Sequence, residues 1–175
     1  MIHTDHVRLL REGVAEPGGV WADLGSGAGA FTLALADLLG PTGAIFSVDK
    51  DAGALREQER AMRTRFPETK AQYLTADFTQ PLELPSLDGV VMANSLHFQR
   101  QKNPVLQLVR SYLKPEGRLI LVEYNVDRGN MWVPYPLSYG MWEALARQNG
   151  FTSTRLLTTQ PSRWLGEMFS ALSLR

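Results

Sequence analysis

The chain contains no cysteine. That absence removes thiolate nucleophiles, disulfides and cysteine-ligated zinc or iron–sulfur centres, and it says nothing about compartment. An excess of charge of one sign is missing too: 18 Lys and Arg balance 18 Asp and Glu over 175 residues. Proteins that neutralise nucleic-acid phosphates carry a basic surplus, so no nucleic-acid partner is expected. The densest basic stretch, Arg56, Arg60, Arg63, Arg65 and Lys70, is interleaved with Glu57, Glu59 and Glu68 and reads as a solvated helix face. Nothing approaches the ~20 consecutive apolar residues of a membrane span; the longest core-like run is Leu119 to Val122. The opening MIHTDHVRLLREG is polar and lacks the apolar segment of a secretory signal. A cytoplasmic protein with no membrane partner is the expectation.

What is present suits one globular unit. Apolar residues make up 44% and charged residues 21%, enough for a core and far from a disordered composition. At roughly 150 residues per domain the length allows a single domain, 1–175, with no separate substrate domain. Strand-like and helix-like segments alternate: strands at Val20–Leu24, Ala44–Val48, Gln72–Ala76, Gly89–Ala93 and Arg118–Tyr124, helices at Phe31–Leu39, Leu55–Phe66 and from Asn103 to about Leu113. Asn103-Pro104 reads as an N-cap followed by proline in the first helical position. This rhythm predicts an α/β, doubly wound, mostly parallel sheet with helices on both faces. After Tyr124 comes an irregular stretch to Tyr135, then a helix from about Leu137 to Gln148. Two strands follow, Thr152–Thr159 and Glu167–Leu174, with only Gln160 to Gly166 between them. That gap cannot hold a helical crossover, so the seventh and last strand should run antiparallel.

The turn Asp23-Leu24-Gly25-Ser26-Gly27-Ala28-Gly29 joins the first strand to its helix, where open parallel sheets bind ligands. Two readings compete. Gly25, Gly27 and Ala30 fit a relaxed dinucleotide fingerprint, with Asp49 following Gly25 by 24 residues. Read instead as Asp23-x-Gly25-x-Gly27-x-Gly29, the segment resembles the first motif of class I S-adenosylmethionine-dependent methyltransferases. A carboxylate ahead of the loop suits a cationic cofactor and would repel a pyrophosphate. The antiparallel last strand also departs from dinucleotide-binding sheets.

The resemblance extends from about Val20 to Ser173, in motif order, and is nearest to the ubiquinone/menaquinone-type C-methyltransferase group, through Val91-Met92-Ala93-Asn94-Ser95-Leu96-His97 and the turn Leu113-Lys114-Pro115-Glu116-Gly117. It implies a Rossmann-like seven-stranded core over 19–175, with residues 1–18 forming a helix that serves as a lid. It implies S-adenosylmethionine as cofactor and S-adenosylhomocysteine as product. Its cofactor-binding residues would be Asp23, Gly25, Ser26, Gly27, Gly29, Asp49 on the ribose hydroxyls, Lys50 at the adenine border, Asp77 on the adenine amino group, Phe78 and Asn94. Each has a plainer alternative: Asp49 as the cap of the next helix, Asp77 as a turn cap, Phe78 as core, Asn94 bonded within its own loop.

The acceptor is expected to be a small molecule. The fourth strand does not end in the Asn/Asp-Pro-Pro-Tyr/Phe motif of amide-nitrogen methylation, and the missing cysteine excludes cytosine C5 and cysteine-ligated arsenite chemistry. His97 is the candidate general base or substrate-positioning group, its alternative being a loop cap. Tyr124, Arg128 and Trp132 are candidate acceptor-site residues, Arg128 pairing either with an acidic substrate or with Asp127 or Glu123. His3 and His6 read as a helix face, and no metal site is expected. A homodimer could close the open side of the pocket. A cofactor-binding scaffold without turnover and an NAD(P)-binding oxidoreductase remain the alternatives.

Overall fold

The computed structural model describes residues 1–162 and 164–175. Seven strands form one sheet: β1 (Gly19–Leu24), β2 (Gly43–Asp49), β3 (Lys70–Thr75), β4 (Leu87–Ala93), β5 (Leu113–Tyr124), β6 (Ser153–Pro161) and β7 (Glu167–Leu174). Their order is β3-β2-β1-β4-β5-β7-β6, with β1 to β5 parallel and β7 antiparallel to both β5 and β6. The doubly wound architecture and its antiparallel last strand are those expected from the sequence. β7 takes an interior place because its residues from Met168 to Ser173 are all buried, whereas β6 keeps solvent-facing polar residues suited to an edge.

Helices α1 (His3–Arg11), α2 (Ala30–Leu39), α3 (Ala52–Arg65), α4 (Asn103–Tyr112) and α5 (Tyr139–Gln148) cover the sheet. Alternation along the strands divides the core in two. Leu24, Val90, Met92, Leu119 and Leu121 pack with Leu106, Val109 and Trp142 of α4 and α5 on one face. Trp21, Val91, Ile120 and Val122 pack with Leu10, Leu35 and Met62 of α1, α2 and α3 on the other. Asp88 ties β4 to its neighbours, accepting the Val20 N–H at 2.8 Å and the Lys114 ammonium at 2.7 Å.

Two local expectations are corrected. Asn103 is the first helical residue, not the cap. Its Oδ1 accepts from Asn149 Nδ2 at 3.0 Å, fastening α4 to the end of α5. The α5 helix starts at Tyr139, two residues later than expected: Ser138 is extended as its N-cap, Leu137 turns inward into the core, and Asn125 Oδ1 accepts the free Tyr139 N–H at 3.0 Å. No helix among the described residues is long and apolar enough to cross a membrane.

Candidate active site

The carboxyl ends of β1, β2 and β4 surround the glycine turn. Gly25 has φ +78°, and a Cβ there would lie 2.5 Å from Ser95 Cβ and 3.1 Å from Phe78 Cε1. Only glycine allows the β1 turn and the β4 turn to approach this closely. Gly29, at φ +89°, caps α2, and a Cβ would strike Gln58 Cγ at 2.3 Å. Beneath the turn, Ser26 and Ser47 hydroxyls lie 2.7 Å apart and Gln58 Oε1 accepts from Ser47 at 3.0 Å. This buried polar bracket, absent from the sequence reading, holds the loop over β2.

Asp49 closes the loop from the other side. Its Oδ2 accepts the Gly27 N–H and its Oδ1 the Asp51 N–H, both at 2.8 Å. It does not cap α3: Asp51 does, accepting from Gly53 and Ala54. A cleft of about 370 Å³ opens here, lined by Gly25, Asp49, Lys50, Asp77, Phe78 and Asn94 among others. Asp77 accepts the Thr79 N–H at 2.9 Å and its hydroxyl at 2.8 Å. Those bonds, the backbone one first, hold its carboxyl below the usual range, so it is an exposed anion at the rim. Asn94 sits at φ +53° at the end of β4, and its Oδ1 is buried with no donor among the described residues.

Asp23 lies elsewhere. Sharing a strand face with Trp21, it points toward α2, is 1% exposed, and accepts the Thr32 hydroxyl at 2.6 Å. Burial, with a smaller contribution from the charge on Asp49, pushes its carboxyl up to about 7 against the opposing Thr32 bond. Asp23, Ser26, Gly27 and Gly29 therefore shape the loop, and the cleft wall is made by the other cofactor candidates.

Asn94 and Phe98 also line a second cavity, of about 330 Å³, with His97, Tyr124 and Trp132. His97 is 3% exposed and Glu123 is fully buried at the end of β5. His97 Nδ1 lies 2.7 Å from Glu123 Oε2, while Glu123 Oε1 accepts the Leu96 and His97 N–H groups at 3.0 and 3.1 Å. Glu123 thereby fixes both the imidazole and the backbone that carries it, and among the described residues Nε2 has no partner. The phenol of Tyr124 is held above its ordinary pKa by burial and then by the Glu123 charge, so it stays neutral. Trp132 is 74% exposed at the mouth. Arg128 is exposed, lines none of the described cavities, and does not pair with Glu123, whose oxygens are taken by His97 and the β4 turn. The missed partner carried a signal: a carboxylate directly after the apolar run Leu119-Ile120-Leu121-Val122 sits in the buried half of its strand and must be paired.

Of the paired histidines near the start, His3 bonds Asp37 at 3.1 Å and His6 packs edge-on to Phe31, with burial lowering its pKa. The α1 helix lies on α2, and no residue of it lines the Asp49 cleft.

A methyltransferase domain family matches residues 15–160. The chain is 29% identical over 158 residues to an arsenite methyltransferase of Aquipseudomonas alcaligenes, covering 79% of this chain and 46% of that protein. It is 27% identical over 126 residues to the ubiquinone/menaquinone biosynthesis C-methyltransferase UbiE of Burkholderia mallei, covering 72% and 50%. The chain thus spans half or less of the length of these curated relatives. The crystal structure of the YcgJ protein from Bacillus subtilis shares the fold, with TM-score 0.78 over 99% of both chains at 12% identity.

Proposed function

Because the chain belongs to the methyltransferase domain family, we propose that it transfers a methyl group from S-adenosylmethionine to a small molecule. The observation that carries this reading is a pair of cavities with Asn94 and Phe98 in both walls, one rimmed by carboxylates and the other lined by His97, which is paired with the buried Glu123. Asp49 would hold the ribose hydroxyls, Asp77 the adenine amino group, Phe78 an adenine face, and the orphaned Asn94 Oδ1 the ammonium of the cofactor. The cofactor supplies, when bound, a methyl carbon activated by its sulfonium.

The remaining work falls to this chain. The walls must hold the acceptor in line with the methyl donor. With Nδ1–H donating to Glu123, the neutral imidazole presents a lone pair at Nε2 to the cavity, where it can take a proton from an acceptor O–H or acidified C–H. Glu123 is then the positioning residue: it selects the tautomer and stabilises the imidazolium that forms. The similarity to a C-methyltransferase of ubiquinone/menaquinone biosynthesis supports an acceptor whose proton must be removed. Trivalent arsenic does not fit as well, since no thiolate is present to bind it.

Thermal unfolding with S-adenosylmethionine, S-adenosylhomocysteine, NAD and NADP tests the cofactor. At 100 times Kd, one-site binding adds about 2.7 kcal/mol, a rise of several degrees for the two adenosyl-sulfur ligands alone. A rise with NAD or NADP only would overturn the reading. Binding without turnover by any phenolic, quinone-like or amine acceptor would indicate a scaffold.

A further inference from the structure

His97 is nearly enclosed, and the loop from Asn130 to Tyr135 forms part of the enclosure: Asn130, Trp132 and Val133 line the same cavity. The loop is folded tightly on itself. Asn130 Oδ1 accepts the Trp132 and Val133 N–H groups at 2.8 and 2.9 Å, and a Cβ at Gly129 would lie 2.5 Å from the Val133 and Pro134 carbonyl oxygens. Tyr135 joins the loop to the turn that carries the imidazole, donating its N–H to the His97 carbonyl at 3.0 Å.

Lys102 completes that junction. It stands at the N-cap of α4, where a cation opposes the helix dipole, and its side chain makes no cap bond. Its ammonium turns instead to two carbonyl oxygens, Gln99 at the end of the His97 turn and Tyr135 on the loop, both at 2.8 Å. Bonds from a charged donor are roughly twice as strong as neutral ones. Burial lowers the Lys102 pKa and the charge on Glu123 opposes that shift, so the ammonium lies within electrostatic reach of the His97–Glu123 pair.

We propose that Lys102 is a positioning residue of the acceptor site, acting through Tyr135: it clasps the 130–135 loop onto the His97 turn and so sets the space in front of the imidazole. Its place in an acceptor site rests on the function proposed above, whereas the clasp stands on the two carbonyl bonds.

Diethyl pyrocarbonate tests it, because the reagent acylates the neutral imidazole nitrogen and its rate reports how open the space before His97 is. Modification is followed residue by residue by peptide mass spectrometry, with His3 and His6 as internal references. Lys102→Met keeps the aliphatic stem and removes both bonds. In that variant His97 should react about 10-fold faster or more, with the rates at His3 and His6, the urea midpoint and the S-adenosylhomocysteine Kd unchanged. Lys102→Arg, which keeps a charged donor for the carbonyls, should return the His97 rate to that of the wild type. A His97 rate that Lys102→Met leaves unchanged overturns the clasp. Acceleration at all three histidines, or a lowered urea midpoint, would make Lys102 a general structural contact and overturns it too. Failure of the wild type to bind S-adenosylhomocysteine would instead bring down the methyl-transfer reading and the acceptor role with it, while the His97 rates still decide the clasp.

Discussion

Asp23 makes the stability of this protein depend on pH in an unusual direction. Its carboxyl sits 1% exposed with Thr32 as its hydrogen-bond donor, and burial raises its folded pKa to about 7 from an ordinary 3.8. A raised carboxyl pKa means that the folded state binds the proton more tightly than the unfolded chain. Folding is therefore favoured below the unfolded pKa and progressively disfavoured as pH climbs toward the folded one. A shift of about three units amounts to about 4 kcal/mol in full, of which about 3 kcal/mol falls between pH 5 and pH 8.5. Asp23→Asn keeps an acceptor for Thr32 and never ionises. Urea unfolding of both proteins at pH 5 and pH 8.5 isolates the effect, because every other titration is shared and cancels in the double difference. The variant should gain about 3 kcal/mol on the wild type over that interval. An equal difference at the two pH values would show that Asp23 ionises in the fold without penalty, and the account of its burial would be wrong.

Other outcomes follow from the same geometry. Glu123→Gln keeps a carbonyl for the Leu96 and His97 N–H groups but turns an amide N–H toward His97 Nδ1, forcing the proton onto Nε2. Turnover should fall by about 10²–10⁴-fold with S-adenosylhomocysteine Kd unchanged; an unaltered kcat would rule out the imidazole as base. Gly25→Ala places a Cβ against Ser95 at φ +78°, and both a loss of about 1–3 kcal/mol in urea and weakened S-adenosylhomocysteine binding by calorimetry are expected. Asp49→Asn removes a charged acceptor and should weaken S-adenosylhomocysteine by about 10–100-fold, read by the same titration. Trp142, fully buried between α5 and the sheet, should lose about 3–5 kcal/mol on replacement by alanine, seen as a lower urea midpoint.

Much of the architecture was legible before any coordinates. Buried strands announce themselves as short apolar runs, and the pattern alone places strands at Gly89–Ala93 and Arg118–Tyr124, inside β4 and β5. The antiparallel last strand followed from a connection too short to cross the sheet. The glycine turn is legible as a turn, while its detailed need for glycine differs by position: a Cβ at Gly25 or Gly29 would strike Ser95 or Gln58, and at Gly27 only the left-handed backbone favours glycine. The boundaries of α4 and α5 were less accessible, since Asn149 and Asn125 compete for groups that local rules assign to capping.

The site divides in the same way. The sequence by itself determined which residues end β1, β2 and β4 and hence gather at one edge of the sheet, because parallel strands all finish on the same side. Only the tertiary structure decided what each side chain meets. Asp23 turns to α2 and away from the cleft because strand alternation sets its face and packing sets which helix covers that face. His97 and Glu123 lie 26 residues apart and form a pair because β4 and β5 are adjacent in the sheet. Periodicity is a property of neighbours along the chain, whereas a hydrogen bond between strand ends depends on register, and register exists only once the sheet has formed.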